Sequence, residues 1–198
     1  MNLWNPEHRL VLASGSATRR ALLAGAGLPF ETAKPDVDER AVEAATPDAL
    51  ARALAVAKAL DVSIHKPDAW VIGADQVLSL DGRLFHKSRD RAAALATLTA
   101  LSGRTHRLTS AFALARNGAV VAKESEHADL TMRALDEAAL GRYLDLAGEG
   151  VLASVGVYQW EGFGAHLFER VEGDHSTILG LPMLKLLAAL RGVSALTL

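Results

Sequence analysis

Residues 10–23, LVLASGSATRRALL, constrain the fold of this chain more than any other stretch. The apolar run Leu10–Ala13 reads as a buried strand, and Ala21-Leu22-Leu23 reads as the core side of a helix. Ser14-Gly15-Ser16 makes a short turn between them, giving the strand–turn–helix unit of an α/β protein. The turn also carries chemistry. A helix start exposes unpaired N–H groups and a partial positive charge, both of which attract anions. Gly15 lets backbone approach a ligand, Ser16 is a good N-cap, and Arg19-Arg20 place two guanidinium forks in the first helical turn. Acidic residues are favoured there, so two arginines with no acid nearby point to an anion above them. An ordinary turn with two solvated arginines has the same local sequence, and only the rest of the chain separates the two.

The periodicity beyond this unit alternates between helix and strand. Pro29–Thr32 forms a short segment, followed by the acidic turn KPDVDER. Residues 47–60 predict a helix with Pro47 at its start, Leu50, Leu54 and Ala57 on one face, and Asp48 paired with Arg52. Trp70–Leu78 predicts a strand ending near the Asp81-Gly82 turn. Ser88 is expected to cap a helix carrying Leu95, Leu98 and Leu101, with Gly103 stopping it. Residues 105–132 predict two long strands joined at Asn117-Gly118, a strong hairpin signal. Asp136 caps the next helix, with Leu135 and Leu140 as its hydrophobic staple. Residues 148–164 read as irregular, His166–Val171 as a strand, and Pro182 opens a helix through Arg191. With no repeat, low-complexity tract or linker, the expectation is one α/β domain over 1–198, built on a mixed sheet.

Composition removes several function classes. A formal charge of −2 leaves no broad basic face, so general nucleic-acid binding is not expected. The absence of cysteine excludes disulfides, thiolate catalysis and zinc-thiolate sites. No apolar stretch approaches the ~20 residues of a membrane span, and the N-terminus lacks the pattern of a signal peptide. A cytoplasmic protein is expected. There is no GxxxxGK[ST] loop, no complete dinucleotide fingerprint around Glu161–Gly164, no HExxH and no GxSxG elbow.

Charge interrupts the apolar pattern at a few places. Asp75 follows Val71-Ile72-Gly73-Ala74, at the point where strands of α/β sheets open into clefts; an aspartate that caps a loop is the other reading. Lys58 is a single cation late in an Ala/Leu helix, where a solvated lysine is equally at home, and Lys87 follows apolar Leu84-Phe85. Asp36, Asp38 and Glu39 cluster around Val37, with Asp36 and Asp38 on one face of an extended segment. Such oxygen-only donors suit Mg²⁺ or Mn²⁺, and an exposed acidic turn fits the same residues. Together, an anion turn, lone lysines and carboxylates at a strand end form the mixture that phosphoryl chemistry needs.

These segments, in order, resemble the Maf family of nucleoside triphosphate pyrophosphatases, the septum-formation-inhibitor proteins. LASGSATRRALL, PDVDE, LAVAKA, VIGADQV, LDGRLFHK, LSGRTHRLTSA and FERVEGDHSTILGLPMLKLLAAL carry the resemblance across nearly the whole chain. It implies a twisted mixed β-sheet flanked by helices, with two lobes around a central cleft, as in inosine triphosphate pyrophosphatases. It implies hydrolysis of a nucleoside triphosphate between the α- and β-phosphates with a divalent metal, Mg²⁺ or Mn²⁺. By motif, Ser14, Arg19 and Arg20 would hold phosphates, and Lys58 and Lys87 would neutralise polyphosphate charge. Asp75 would be the catalytic carboxylate, as proton acceptor or metal ligand, and Asp38 would help hold the metal. A homodimer is compatible with the family, although no interface is legible in the sequence.

The chain also departs from the family pattern. Where the family commonly reads SxSPxRR, Ala17 and Thr18 replace the proline and the residue after it, and Lys87-Ser88 replaces a lysine–proline pair. Three positions tied to base selection correspond to Thr18, Gln76 and Glu161. Gln76 and Glu161 resemble the subfamily acting on 7-methyl-GTP, whereas Thr18 fits neither that subfamily nor the one acting on dTTP and UTP. The expectation is a house-cleaning pyrophosphatase for a modified purine nucleotide. The alternatives are a dTTP/UTP pyrophosphatase and a nucleotide-binding regulator of cell division with little turnover.

Overall fold

The computed structural model describes residues 3–197. Its first half forms β1 (Arg9–Ala13), α1 (Ala17–Gly25), β2 (Glu31–Ala33), α2 (Pro47–His65), β3 (Ala69–Leu80), β4 (Arg83–Phe85) and α3 (Arg91–Leu101). The second half forms β5 (Thr105–Arg116), β6 (Ala119–Met132), α4 (Glu137–Ala147), β7 (Phe168–Glu172), α5 (His175–Ile178) and α6 (Met183–Gly192). The seven strands make one sheet in the order β2-β1-β3-β5-β6-β7, with β4 added to the far end of β3. β2, β1 and β3 run parallel, whereas β4, β5, β6 and β7 pair antiparallel, so the sheet is mixed as expected.

Strand lengths create the opening in which a site can form. Ala13, the last residue of β1, lies opposite Gly73, and β3 continues for another seven positions to Leu80. Asp75 therefore emerges just beyond the carboxyl end of its parallel neighbour, the place where α/β sheets leave a crevice. Period-two alternation sends Gln76 to one face of β3 and Asp75 to the other. On the Gln76 face, Trp70, Ile72, Phe112 and Leu114 pack with Leu23 of α1 and Leu186 and Leu190 of α6. Farther along that face, Leu78, Leu108 and Leu130 pack with Leu98 of α3, Leu140 of α4, and Tyr158. Between the two apolar clusters lies a polar seam of Gln76, Ser110 and the Thr177 carbonyl. On the Asp75 face, α2 lays Ala51, Ala55 and Ala59 on Val77, Ala111 and Ala113.

Small residues permit that last contact to be very close. A Cβ on Gly73 would stand 2.2 Å from the Ala55 carbonyl oxygen and 2.4 Å from the Ala59 nitrogen. Only glycine admits the backbone of α2 there.

Most element boundaries follow the sequence reading, including the Asn117-Gly118 turn, where both residues take positive φ (49° and 72°) as a tight hairpin requires. Several boundaries differ, β3 among them, which spans Ala69–Leu80 rather than Trp70–Leu78. α2 runs on to His65. α3 is capped by Asp90, whose carboxylate accepts the Ala93 N–H at 2.8 Å, while the Ser88 hydroxyl meets Thr97. β7 begins at Phe168 rather than His166, because Phe163–Leu167 winds into a 3-10 turn. No helix among the described residues is long and apolar enough to cross a membrane.

Candidate active site

The turn after β1 is built by its serines. The Ser16 hydroxyl caps α1 by accepting the Arg19 N–H, and the Ser14 hydroxyl accepts the Ser16 N–H at 3.2 Å. The first-turn N–H groups of Ala17 and Thr18 have no acceptor within the helix. Arg19 then ties three elements together. Its Nε donates to the Gly180 carbonyl at 2.8 Å, and its Nη1 donates to the Ala74 carbonyl at 2.9 Å and to Ser14 Oγ at 3.3 Å. Burial pulls this guanidinium below its ordinary value, opposed by the charges of Asp75 and Glu39. Both carboxylates thus act on the same arginine. Arg20 is exposed and folds back to donate to the Gly15 carbonyl.

Lys58 and Asp75 are only 6% and 7% exposed and form a buried ion pair, Nζ to Oδ1, of 2.6 Å. The same Nζ lies 2.8 Å from Glu39 Oε1. Glu39 starts the 3-10 turn Glu39–Ala41 in the loop after β2, so carboxylates from two other elements converge on the Lys58 ammonium. Partial burial opposes it, yet Lys58, Lys87 and Arg19 hold the Glu39 carboxyl below the usual carboxylate value. Lys87 is exposed and enters this field from the loop after β4. Asp38 is exposed and spends Oδ1 on the Arg40 N–H as the cap of the 3-10 turn. Asp36 is exposed too, and its N–H is taken by Asp61.

The structure thus brings Ser14, Arg19, Lys58, Asp75 and, electrostatically, Lys87 together, and adds Glu39. In the sequence Glu39 is visible only as one acid of a cluster, since nothing local marks which member of PDVDER will reach α2. Gly73 carries no local signal either, although it sets the closeness of α2 and hence the Lys58–Asp75 pair.

The three positions expected to select the base divide. Thr18 Oγ1 donates to Glu161 Oε1 at 3.2 Å, joining α1 to the segment before β7. Gln76 makes no hydrogen bond with either among the described residues. Its Nε2 faces Ser110 Oγ and the carbonyls of Thr177 and Ile178 at 3.0–3.1 Å. Three acceptors around one nitrogen fix the amide's orientation and leave Oε1, an acceptor, as its free group.

Residues 9–193 match the profile of the family described as Maf-like protein. The chain belongs to the Maf-like family. A 7-methyl-GTP pyrophosphatase of Rhizobium etli is 54% identical over 92% of this chain and 95% of its own length. A nucleoside triphosphate pyrophosphatase of Bradyrhizobium diazoefficiens is 51% identical over 96% of each chain. A 7-methyl-GTP pyrophosphatase of Brucella abortus is 52% identical over 92% of this chain and 95% of its own. Among solved structures, a dITP/XTP pyrophosphatase of Mycobacterium abscessus overlays on 63% of this chain and 72% of its own, at 20% identity and a TM-score of 0.40.

Proposed function

We propose that this Maf-like chain is a nucleoside triphosphate pyrophosphatase, releasing a nucleoside monophosphate and pyrophosphate, with 7-methyl-GTP as its preferred substrate. The observation that carries the chemistry is the buried Lys58–Asp75 pair at the carboxyl end of the parallel strands, with the exposed Glu39 on the same ammonium and the start of α1 facing it. Water attacking a phosphoanhydride must lose a proton, and Asp75 is the carboxylate placed to accept it. Lys58 fixes Oδ1 of Asp75, which leaves Oδ2 free of hydrogen bonds among the described residues. Lysine has three donors, and two of them are directed at Asp75 and Glu39, so one remains for a phosphate oxygen. The unpaired N–H groups at the start of α1, with Arg20 and Lys87, complete an anion cradle.

The donor set also suits a divalent metal. Asp75 and Glu39 offer hard oxygens on the two sides of Lys58, whereas Asp38 does not join them, since no three His, Asp or Glu converge among the described residues. Mg²⁺ is commonly held by one or two carboxylates and completed by substrate phosphates and water, so a metal arriving with the nucleotide fits. When bound it would neutralise charge on the polyphosphate.

Glu161 supports the choice of base. An ionised carboxylate only accepts hydrogen bonds, and the guanine edge offers N1–H and N2–H₂ as adjacent donors. Methylation at N7 adds positive charge to that base. Uracil and thymine offer one N–H between two carbonyls, which a carboxylate repels. The names of the relatives above point the same way. The test is pyrophosphate release with Mg²⁺ or Mn²⁺ across canonical and modified nucleoside triphosphates. Release is expected to be strongest for 7-methyl-GTP, and Asp75→Asn should lower kcat by about 10²–10⁴-fold. Strongest release from dTTP or UTP overturns the base assignment. Nucleotide binding without release overturns the enzyme and leaves a regulator.

A further inference from the structure

Glu161 sits in an irregular segment, yet its carboxylate has to be held in a fixed place if it is to read a base edge. Neither a helix nor a strand supplies that rigidity, since residues 154–162 lie in turns and loops. The backbone there is strained instead. Val157 has φ 59°, a left-handed value that a β-branched residue adopts only when its surroundings force it. A Cβ on Gly156 would lie 2.2 Å from the Tyr158 ring, and one on Gly164 would lie 2.4 Å from the Gln159 carbonyl oxygen. The segment is therefore coiled tightly on itself between Gly156 and Gly164.

Two buried side-chain hydrogen bonds tie that coil to the rest of the fold. Tyr143 Oη of α4 donates to the Val157 carbonyl at 3.1 Å. His106 Nε2, on β5, meets Tyr158 Oη at 2.7 Å, with both side chains buried. His106, near the start of β5, pairs with Leu130 of β6, which is itself laddered to Val171 of β7, so it is the partner fixed by strand pairing. Phe168 closes around the pair, its ring 4.8 Å from Tyr158 and 5.8 Å from His106. His106 Nδ1 is buried without a hydrogen-bond partner, a cost that a purely apolar residue at this position would avoid. A buried histidine kept at that cost, with its one side-chain hydrogen bond among the described residues on the residue three before Glu161, needs a purpose beyond packing.

We propose that His106 and Tyr158 are positioning residues for base selection, anchoring the segment that holds Glu161 against Thr18. The proposal rests on the reading of Glu161 as a base contact. Among the described residues the pair makes no hydrogen bond or ring contact with Ser14, Arg19, Arg20, Lys58 or Lys87, so it governs how well the base is held rather than how fast the phosphoanhydride is cleaved. Burial keeps the imidazole neutral at physiological pH, which lets it serve as a fixed hydrogen-bonding group.

The experiment compares wild type, Tyr158→Phe, His106→Leu, His106→Gln and Glu161→Ala. Two quantities are read for each: kcat and KM for 7-methyl-GTP, and the inhibition constant of inorganic tripolyphosphate, which lacks a base. Tyr158→Phe and His106→Leu should raise KM by about 2–10-fold, the effect of one hydrogen bond, with kcat and tripolyphosphate inhibition unchanged. His106→Gln retains an N–H for Tyr158 and should recover part of the loss. Glu161→Ala should show the same split and a larger KM. If Glu161→Ala raises KM while Tyr158→Phe does not, the anchor is overturned and the base contact stands. If Glu161→Ala leaves KM unchanged, the reading of Glu161 falls and the anchor with it. A parallel loss of tripolyphosphate binding and kcat in Tyr158→Phe overturns the proposal in favour of a general packing role.

Discussion

At the residue scale, Lys58 Nζ lies 2.6 Å from one carboxylate and 2.8 Å from another, inside a face otherwise built from alanine and valine. Taking charges out of water is expensive, and the ammonium offsets that expense for Asp75 by mutual attraction. Removing one partner of such a pair leaves the other charge uncompensated, so Lys58→Met should destabilise the fold by about 3–5 kcal/mol. The urea midpoint of unfolding at pH 7 checks this, and a double variant that also carries Asp75→Asn should recover part of the loss. If both proteins unfold with wild type, the pair contributes no stability. The exposed pair Arg9–Glu31 is the contrast: both side chains are about half exposed, and an ion pair of that kind contributes little.

At the element scale, the decisive contact is α2 lying on β3, which depends on one glycine. Gly73→Ala would drive a methyl group into the backbone of α2, so the helix must move before the protein can fold. Overpacking of that kind typically costs about 1–3 kcal/mol, and here it should also separate Lys58 from Asp75. The expected outcome is a lower melting midpoint together with a drop in pyrophosphate release; intact activity would show that α2 does not set the site. The sequence made some elements plain and others opaque for identifiable reasons. Ser16 and Asp136 stand alone as capping residues before apolar periodicity, and both cap as read. Ser88 and Asp90 compete for the same helix start, and local propensity does not rank them; the carboxylate of Asp90 takes the cap. His166-Leu167 looks like the beginning of a strand, but the tight packing of Gly164 on Gln159 continues the 3-10 turn. Asp75 was legible because charge ending an apolar run is conspicuous. Glu39 was not, since its importance arises only when the loop after β2 meets α2.

At the scale of the whole molecule, two apolar clusters share one face of the sheet, and the contacts of Gln76 and of Thr18 with Glu161 lie where they adjoin. Acid should loosen the second cluster first. Burial lowers the pKa of His106 to about 4, opposed by Asp129, whereas an unfolded chain carries this group near 6.5. The unfolded state therefore binds more protons between those values. Stability is fully present above about pH 6.5 and is lost by up to about 3 kcal/mol as pH falls towards 4. Urea titrations at pH 7.5 and 4.5 check this, since His106→Gln should show a smaller loss than wild type; equal losses would mean that His106 does not titrate there. Arg19 acts in the opposite sense, as a rivet. It binds the turn after β1, the edge of β3 and the Gly180 loop through carbonyl and hydroxyl oxygens of the protein itself. The walls of the crevice are thus locked in place when the chain folds, and an incoming polyphosphate finds a finished mould. Little of its attraction is consumed in ordering protein, so most is left to bring the reacting atoms into line.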